Sequence, residues 1–425
     1  MTSEREVYIY IQLPGTLETV PAALLRVLTL DDGTHVGRFR YGDRYLERRG
    51  AVELDPFHLP LGNRVYEFTT LRGLPGAIRD ASPDAWGRRV IQYLLQRPEA
   101  ALDEIDYLLH GPQDAAGDLS FGLKIQPPAV KRQYNRTQQL QDLVTVARAI
   151  EVGQALPQVL LEQIDPGTSL GGARPKATLD DDGKLWLGKF PSKHDVFNMQ
   201  RVEFATLQLA HQCGLDVAPP RLERLADYDV LMVPRFDRQR SEGGYLRFGM
   251  VSGLTVLNAA DSYTDRGRWS YPLLADNLAR WSVKPDHDCQ ELFRRMVFNA
   301  AVTNNDDHPR NHALIRRDRG WQLAPAYDLV PVPALSLEKR NLALEVGKFG
   351  HAGSIYNLLS EAPRFRFSPE SARIEIDRIA GLINANWRRV FHDAGVSQKD
   401  IDYIASAMAP ESFFLEAQPE PIVII

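Results

Sequence analysis

Residues 303–330, TNNDDHPRNHALIRRDRGWQLAPAYDLV, decide how this chain is read. Asp306 is followed five positions later by Asn311, and Asp328 comes seventeen further on. That is the order of parts in a protein-kinase catalytic centre. D-x-x-x-x-N supplies a carboxylate that receives the hydroxyl proton and an amide that ligates magnesium; a later Asp holds the metal against the nucleotide phosphates. Asp307 falls one short of the five-residue step, so Asp306 is the candidate base and Asp307 its loop neighbour. Asp and Asn are common in loops, so the triplet gains meaning only from parts upstream.

Those parts stand in the right order. A Gly-rich turn, Gly167-Thr168-Ser169-Leu170-Gly171-Gly172-Ala173, runs into Lys176. KATLD and KLWLGKF then alternate as strands around Asp181-Asp182-Gly183, a hairpin turn signal. Gly171, Gly172, Ala173 and Lys176 are candidate phosphate-loop residues, and Lys189, near the end of the second strand, is the candidate phosphate lysine. Glu203 lies in a helical pattern fourteen residues on, where it can pair with Lys189. The loop is not a Walker A, because Ala173 stands where that motif needs Lys.

The stretches TSLGGARPKA, LWLGKFP, LMVPRFDR, NNDDHPRNHALI and LAPAYDLVPVP resemble the HipA family of bacterial serine/threonine kinases, the toxin half of a toxin–antitoxin pair. LLRVLTLDDGTHVGRFRYGDRYLE and LPGAIRDASPDAWGRR resemble that family's N-terminal module. The likeness spans nearly the whole chain and thins after about residue 340. It implies an α+β, two-lobed kinase fold: an N-terminal module over 1–120, a small lobe over 121–248 and a mostly helical large lobe over 249–425. It further implies ATP and Mg2+ as cofactors, a HipB-like helix-turn-helix antitoxin, DNA reached only through that antitoxin, and an aminoacyl-tRNA synthetase as the kind of protein phosphorylated. Ser169, by default a turn or cap serine, falls at the serine these kinases autophosphorylate. A phosphate there, with a charge of about −2, would occupy the space ATP phosphates need. Pro234, Arg235 and Phe236 fall where kinases link the lobes and contact adenine through the backbone. The family members carry glutamate where Pro234 stands, and proline has no N–H to offer.

With 425 residues, 44% of them hydrophobic, the chain can bury a large core and divide into two or three domains. Cys213 and Cys289 are too few for a disulfide framework and fit a reducing cytoplasm. No stretch approaches the roughly 18 apolar residues of a membrane helix, and a net charge of −5 disfavours unaided grip on nucleic acid. The expectation is a soluble cytoplasmic protein.

EVYIYIQL, LLRVLTL and HVGRFRY read as strands. Ser82-Pro83-Asp84 reads as a cap, first-position proline and first-turn acid for a helix to about Gln96. Further helices end at Gly111 and cover about 137–152. From about residue 250 the strand signal nearly vanishes, and VSGLTVLNAA, YPLLADNLARW and CQELFRRMVFNAAV read as helical. Ser368 opens a long helix to His392 and Ser397 the last one. The apolar tail around Phe413-Phe414 and Ile422–Ile425 reads as packed on the body.

Some residues keep two readings. His308 orients Asp306 or touches a phosphate, or is a loop histidine. Its spacing from His312 binds zinc only on a helix, which Pro309 opposes. Asp237-Arg238 reads as a stabilising ion pair. Arg38, Arg40, Arg44, Arg48 and Arg49 alternate with aromatics, which suits single-stranded nucleic acid, a protein partner or a solvated hairpin face. Three functions remain: an active protein kinase, a small-molecule phosphotransferase, and a non-catalytic corepressor that docks an antitoxin on DNA. The set Lys189, Glu203, Asp306, Asn311 and Asp328 favours catalysis, because a scaffold has no chemical need for all five.

Overall fold

The computed structural model describes residues 3–129, 134–157, 172–318, 320–333 and 340–417. Their contacts divide the chain into two discontinuous units. Met1–Asp195, Glu223–Ala260 and Ala313–Trp321 form the first; Val196–Leu222, Asp261–His312 and Gln322–Ile425 form the second. The fold is α+β, as expected. The division differs from cuts at 120 and 248: the helix bearing Glu203 groups with the second unit, and the strand Ala313–Arg317 with the first.

In the first unit, Tyr66–Phe68, His35–Tyr41, Thr19–Thr29, Ser3–Gln12 and Leu119–Gly122 form one antiparallel sheet in that spatial order. Alternate side chains go to opposite faces, so Val7, Ile9, Leu25, Val27, Phe39 and Tyr41 are buried in one core. Phe39 and Tyr41 meet edge to face, with ring centroids 4.9 Å apart. Arg38 and Arg40 point the other way and pair with Glu67 and Asp43. The arginine–aromatic alternation is therefore a two-faced strand, and its aromatics are unavailable to stack on bases.

The second sheet places Asn135–Arg136, Lys176–Asp181, Lys184–Lys189 and Asp229–Pro234 side by side. The turn between its central strands has φ +50° at Asp182 and +75° at Gly183, the left-handed pair a two-residue hairpin requires. The helices Ala85–Leu95 and Leu140–Val152 cover this sheet, with Trp86, Val90, Leu143 and Ile150 packed on Leu179, Trp186 and Met232. The first of these helices is capped by Asp84 rather than Ser82. The Asp84 carboxylate accepts from the Gly87 N–H at 2.9 Å, so Pro83 stays outside the helix.

The strand signal does not vanish after residue 250. Gly249–Ser252 pairs antiparallel with Ala313–Arg317, and the expected VSGLTVLNAA helix shrinks to Gly253–Val256. That pairing is long-range and overrides a local apolar pattern that suits helix or strand alike.

The second unit is built on the helices Met199–Gln212, Tyr271–Trp281, Pro285–Ala301, Pro369–Asp393 and Gln398–Ile404. Ser270, Ser368 and Ser397 cap three of them, each accepting an N–H from the residue three positions on. Phe413 is buried and Phe414 exposed; Ile422–Ile425 lie outside the described residues. Among the described residues no helix is long and apolar enough to cross a membrane.

Candidate active site

The helix Pro285–Ala301 delivers the D-x-x-x-x-N segment. Beyond its end, Thr303 turns left-handed at φ +51° and donates its hydroxyl to the Ala407 carbonyl at 2.7 Å. The Asp306 carbonyl then accepts the His308 N–H at 2.7 Å and the Asn311 side-chain amide at 3.2 Å. The two candidate residues of the motif are thus bonded to each other through the backbone of the first. Asp306 as a whole residue is exposed, while its carboxyl is partly shielded from water.

Between them, Pro309–Asn311 forms one 3-10 turn capped by His308, whose Nδ1 accepts the Arg310 N–H at 3.1 Å. With Nδ1 accepting, a neutral ring carries its proton on Nε2, which lies 2.8 Å from Asp261 Oδ1. Asp261 Oδ2 lies 3.3 Å from Arg310 Nε, and the Trp269 ring sits 4.3 Å from the histidine, edge to face. His308 therefore orients the loop, and both its nitrogens are engaged. Sequence reasoning missed Asp261. It belongs to no motif, and only the fold brings it to the loop.

Asp328 has φ +59°, a left-handed conformation for a non-glycine residue. Such backbone costs on the order of 1 kcal/mol and persists where the surroundings enforce it. The enforcement is visible. The Ala326 N–H donates to the Asp216 carbonyl at 2.7 Å, and Tyr327 donates its hydroxyl to the Arg310 carbonyl at 2.5 Å. Buried Arg295 holds the Ala324 carbonyl at 2.8 Å and Glu291 at 2.9 Å, while Glu291 takes the Asp216 N–H at 3.0 Å.

Loss of water, then the negative charge of Asp328, raises the Asp306 carboxyl above its ordinary pKa; His308 opposes the shift. Asp306 and Asp328 therefore feel each other. The donors at this point are two carboxylates and the Asn311 amide oxygen, whose NH2 group is turned to the Asp306 carbonyl. An oxygen-only set suits a hard divalent cation such as magnesium.

The first unit holds the remaining candidates. Lys176 and Lys189 lie directly opposite each other in the hairpin, so they share a face. Lys176 is not a phosphate ligand: its ammonium is buried, 2.6 Å from Asp84 and 3.2 Å from the Gly172 carbonyl. An apolar surrounding makes an unpaired lysine costly, so the buried acid claims it. Gly172 has φ +98°, and a Cβ there would stand 3.3 Å from the Lys176 ammonium. Ala173 is the next residue of that loop; Ser169 and Gly171 lie outside the described residues. Lys189 is half-buried. Glu203, in the second unit, is 6% exposed on the helix Met199–Gln212.

At the expected hinge, Pro234 ends a buried strand opposite Trp186. Arg235 has nothing to offer a nucleotide from its N–H or side chain, because the N–H donates to the Leu185 carbonyl at 2.9 Å and the guanidinium is buried against Asp114 and Asp237. Phe236 follows it. Asp237 and Arg238 form the expected ion pair at 2.8 Å, within a larger buried network.

The HipA-like C-terminal domain family model matches residues 168–387. A serine/threonine-protein kinase toxin HipA of Shewanella oneidensis is 28% identical over 214 residues, 45% of this chain and 49% of that protein. A Sinorhizobium fredii protein, Y4mE, whose name assigns it provisionally as a kinase, is 30% identical over 149 residues, 34% of this chain and 36% of that one. The chain thus spans between a third and a half of the length of these curated relatives. A chain of the Shewanella oneidensis MR-1 complex of HipA, HipB and operator DNA superposes with a TM-score of 0.64 at 18% identity, covering 94% of each chain. At that identity the likeness is one of fold, and the fold is the HipA kinase fold.

Proposed function

Since the chain belongs to the HipA-like C-terminal domain family, we propose that it is an ATP-dependent serine/threonine protein kinase of the toxin type. One observation carries the reading: the Asn311 side-chain amide is bonded to the Asp306 carbonyl across the five-residue step, and the carboxyl of Asp306 is raised by loss of water and, after it, by the negative charge of Asp328. Placing two like charges together costs stability. A docking scaffold gains nothing from it, whereas a kinase needs a base and a metal ligand at one point.

Asp306 receives the proton of the substrate hydroxyl, and its raised pKa makes it a stronger acceptor than an ordinary aspartate. Asn311 and Asp328 would hold magnesium, whose chemistry there is to neutralise the phosphate charge. His308, kept in one tautomer by Arg310 and Asp261, sets the loop on which Asp306 sits. The family pattern gives Lys189 and Glu203 the α- and β-phosphates, and Gly171, Gly172 and Ala173 the loop that covers them. Backbone groups of Pro234 and Phe236 meet the adenine. Phosphorylated Ser169 would put an anion where the nucleotide phosphates belong and switch the enzyme off. The substrate class is a protein hydroxyl, with an aminoacyl-tRNA synthetase as the type. The neutralising partner is a HipB-like antitoxin, which supplies the DNA contact this chain of net charge −5 lacks.

The test is transfer of labelled γ-phosphate from ATP to protein in a cell lysate and to the enzyme itself. Asp306→Ala lowers the rate by about 10²–10⁴-fold and removes phosphate from Ser169 by mass spectrometry. Undiminished autophosphorylation in folded Asp306→Ala protein would overturn the assignment.

A further inference from the structure

Asp306 and Asn311 are each followed immediately by a buried polar residue, and those two residues meet. Asp307 is 1% exposed and His312 3% exposed. His312 Nε2 lies 3.1 Å from one oxygen of the Asp307 carboxylate and 3.2 Å from the other. His312 Nδ1 is buried with no hydrogen-bond partner among the described residues.

The surroundings are equally ordered. The His312 ring packs 5.3 Å from the Tyr271 ring, and the Tyr271 hydroxyl accepts from Asn299 Nδ2 at 3.0 Å. Asn299 in turn accepts from Asn304 Nδ2 at 3.1 Å, just before the loop begins. All five side chains are buried. The loop thus stands on a polar platform fixed to the helices Tyr271–Trp281 and Pro285–Ala301.

We propose that Asp307 and His312 are positioning residues for phosphoryl transfer: their contact is a clamp that sets the distance between the Asp306 carboxylate and the Asn311 amide. The geometry is direct. Each clamp residue is covalently next to one functional residue, so the contact closes a ring around the five-residue step. The visible bond from Asn311 to the Asp306 carbonyl is the outer rung of that ring, and the Asp307–His312 contact is the inner one. Without the inner rung, the 3-10 turn at Pro309–Asn311 can open while the rest of the unit stays folded. In catalysis a misplacement of about 1 Å can cost 10²-fold.

The inference rests on the kinase reading for its catalytic part and on geometry alone for its mechanical part, and the experiment separates them. Hydrogen exchange is measured on wild type, Asp307→Ala and Asp307→Asn, together with ATP turnover across a magnesium titration. Asp307→Asn keeps an oxygen facing Nε2 and serves as the conservative control. In Asp307→Ala, exchange of the 304–312 segment accelerates at least tenfold while the helices Tyr271–Trp281 and Pro285–Ala301 keep their protection. Its kcat falls about 10–100-fold, its half-saturating magnesium rises, its KM for ATP moves less than threefold, and Asp307→Asn recovers most of the rate. Adding His312→Ala to Asp307→Ala lowers kcat little further, because one contact is lost once. Unchanged exchange in the 304–312 segment, or additive losses in the double variant, would overturn the clamp. Faster exchange in a protein whose wild type transfers no phosphate would leave the clamp standing and refute the kinase reading.

Discussion

Asparagine in place of Asp237 keeps the side chain's shape and removes its charge. The wild-type carboxylate accepts from Arg235 Nε at 3.0 Å, Arg235 Nη2 at 2.8 Å, Arg238 Nη1 at 2.8 Å and the Gly117 N–H at 2.9 Å. Asp114 faces the same two guanidiniums, and half-buried Arg247 lies near them. An amide has one acceptor oxygen, and its N–H groups would face guanidinium N–H groups. The substitution would leave Arg235, Arg238 and Arg247 against Asp114. Breaking a buried pair by neutralising one member costs about 3–5 kcal/mol, or a fall in melting temperature of roughly 6–20 °C for a unit of this size. Burial alone would push the Asp237 carboxyl up, but Arg235 and Arg238 outweigh it and hold it well below the usual range. A depressed carboxylate stabilises above its unfolded pKa and loses that contribution as pH falls through the folded value. The difference between wild type and Asp237→Asn is therefore full near neutrality and shrinks on acidification below about pH 4. Urea melts at pH 7 and pH 3, with hydrogen exchange followed over 111–118 and 235–247, measure it. A loss under about 1 kcal/mol at pH 7, or one that grows in acid, would refute the reasoning.

Asp328→Ala should abolish magnesium-dependent ATP binding, since it removes the carboxylate that the left-handed turn presents; calorimetric titration with and without magnesium checks it, and unchanged affinity counts against the ligand role. Expressed alone in bacteria, the chain should arrest growth by lowering translation, and co-expression of a small helix-turn-helix partner should relieve the arrest. Growth curves with Asp306→Ala decide between chemistry and docking, because equal toxicity of wild type and variant would favour the binding-module reading.

The strands of the first unit were legible because one face is buried and the other wet, so the period of two is written in EVYIYIQL and HVGRFRY. The serine-capped helices were legible for a similar reason: a cap acts over three residues and leaves a local signature. Gly249–Ser252 was not, because an apolar run of that length takes its conformation from whatever pairs with it, and its partner is Ala313–Arg317. The same distance effect moved the cap from Ser82 to Asp84, where a lysine far along the chain also needs the carboxylate.

The site divides along the same line. Asp306, Asn311 and Asp328 could be found by spacing, because chemistry needs particular residue types at particular steps. The groups that hold them could not. Lys176 and Lys189 were both read as phosphate candidates, and they stand at hairpin positions that face one another. Asp84 separates them by burying one ammonium. Asp261 does the same for His308, which the sequence left either as a group orienting Asp306 or touching a phosphate, or as a loop histidine, and whose Nε2 lies 2.8 Å from that carboxylate. In each case the deciding residue is an acid whose partner cannot be read from the sequence, placed by the fold beside a cation or an imidazole. The spacing of a motif therefore names candidate side chains, while the acids that fix their neighbours become visible only when the chain is folded.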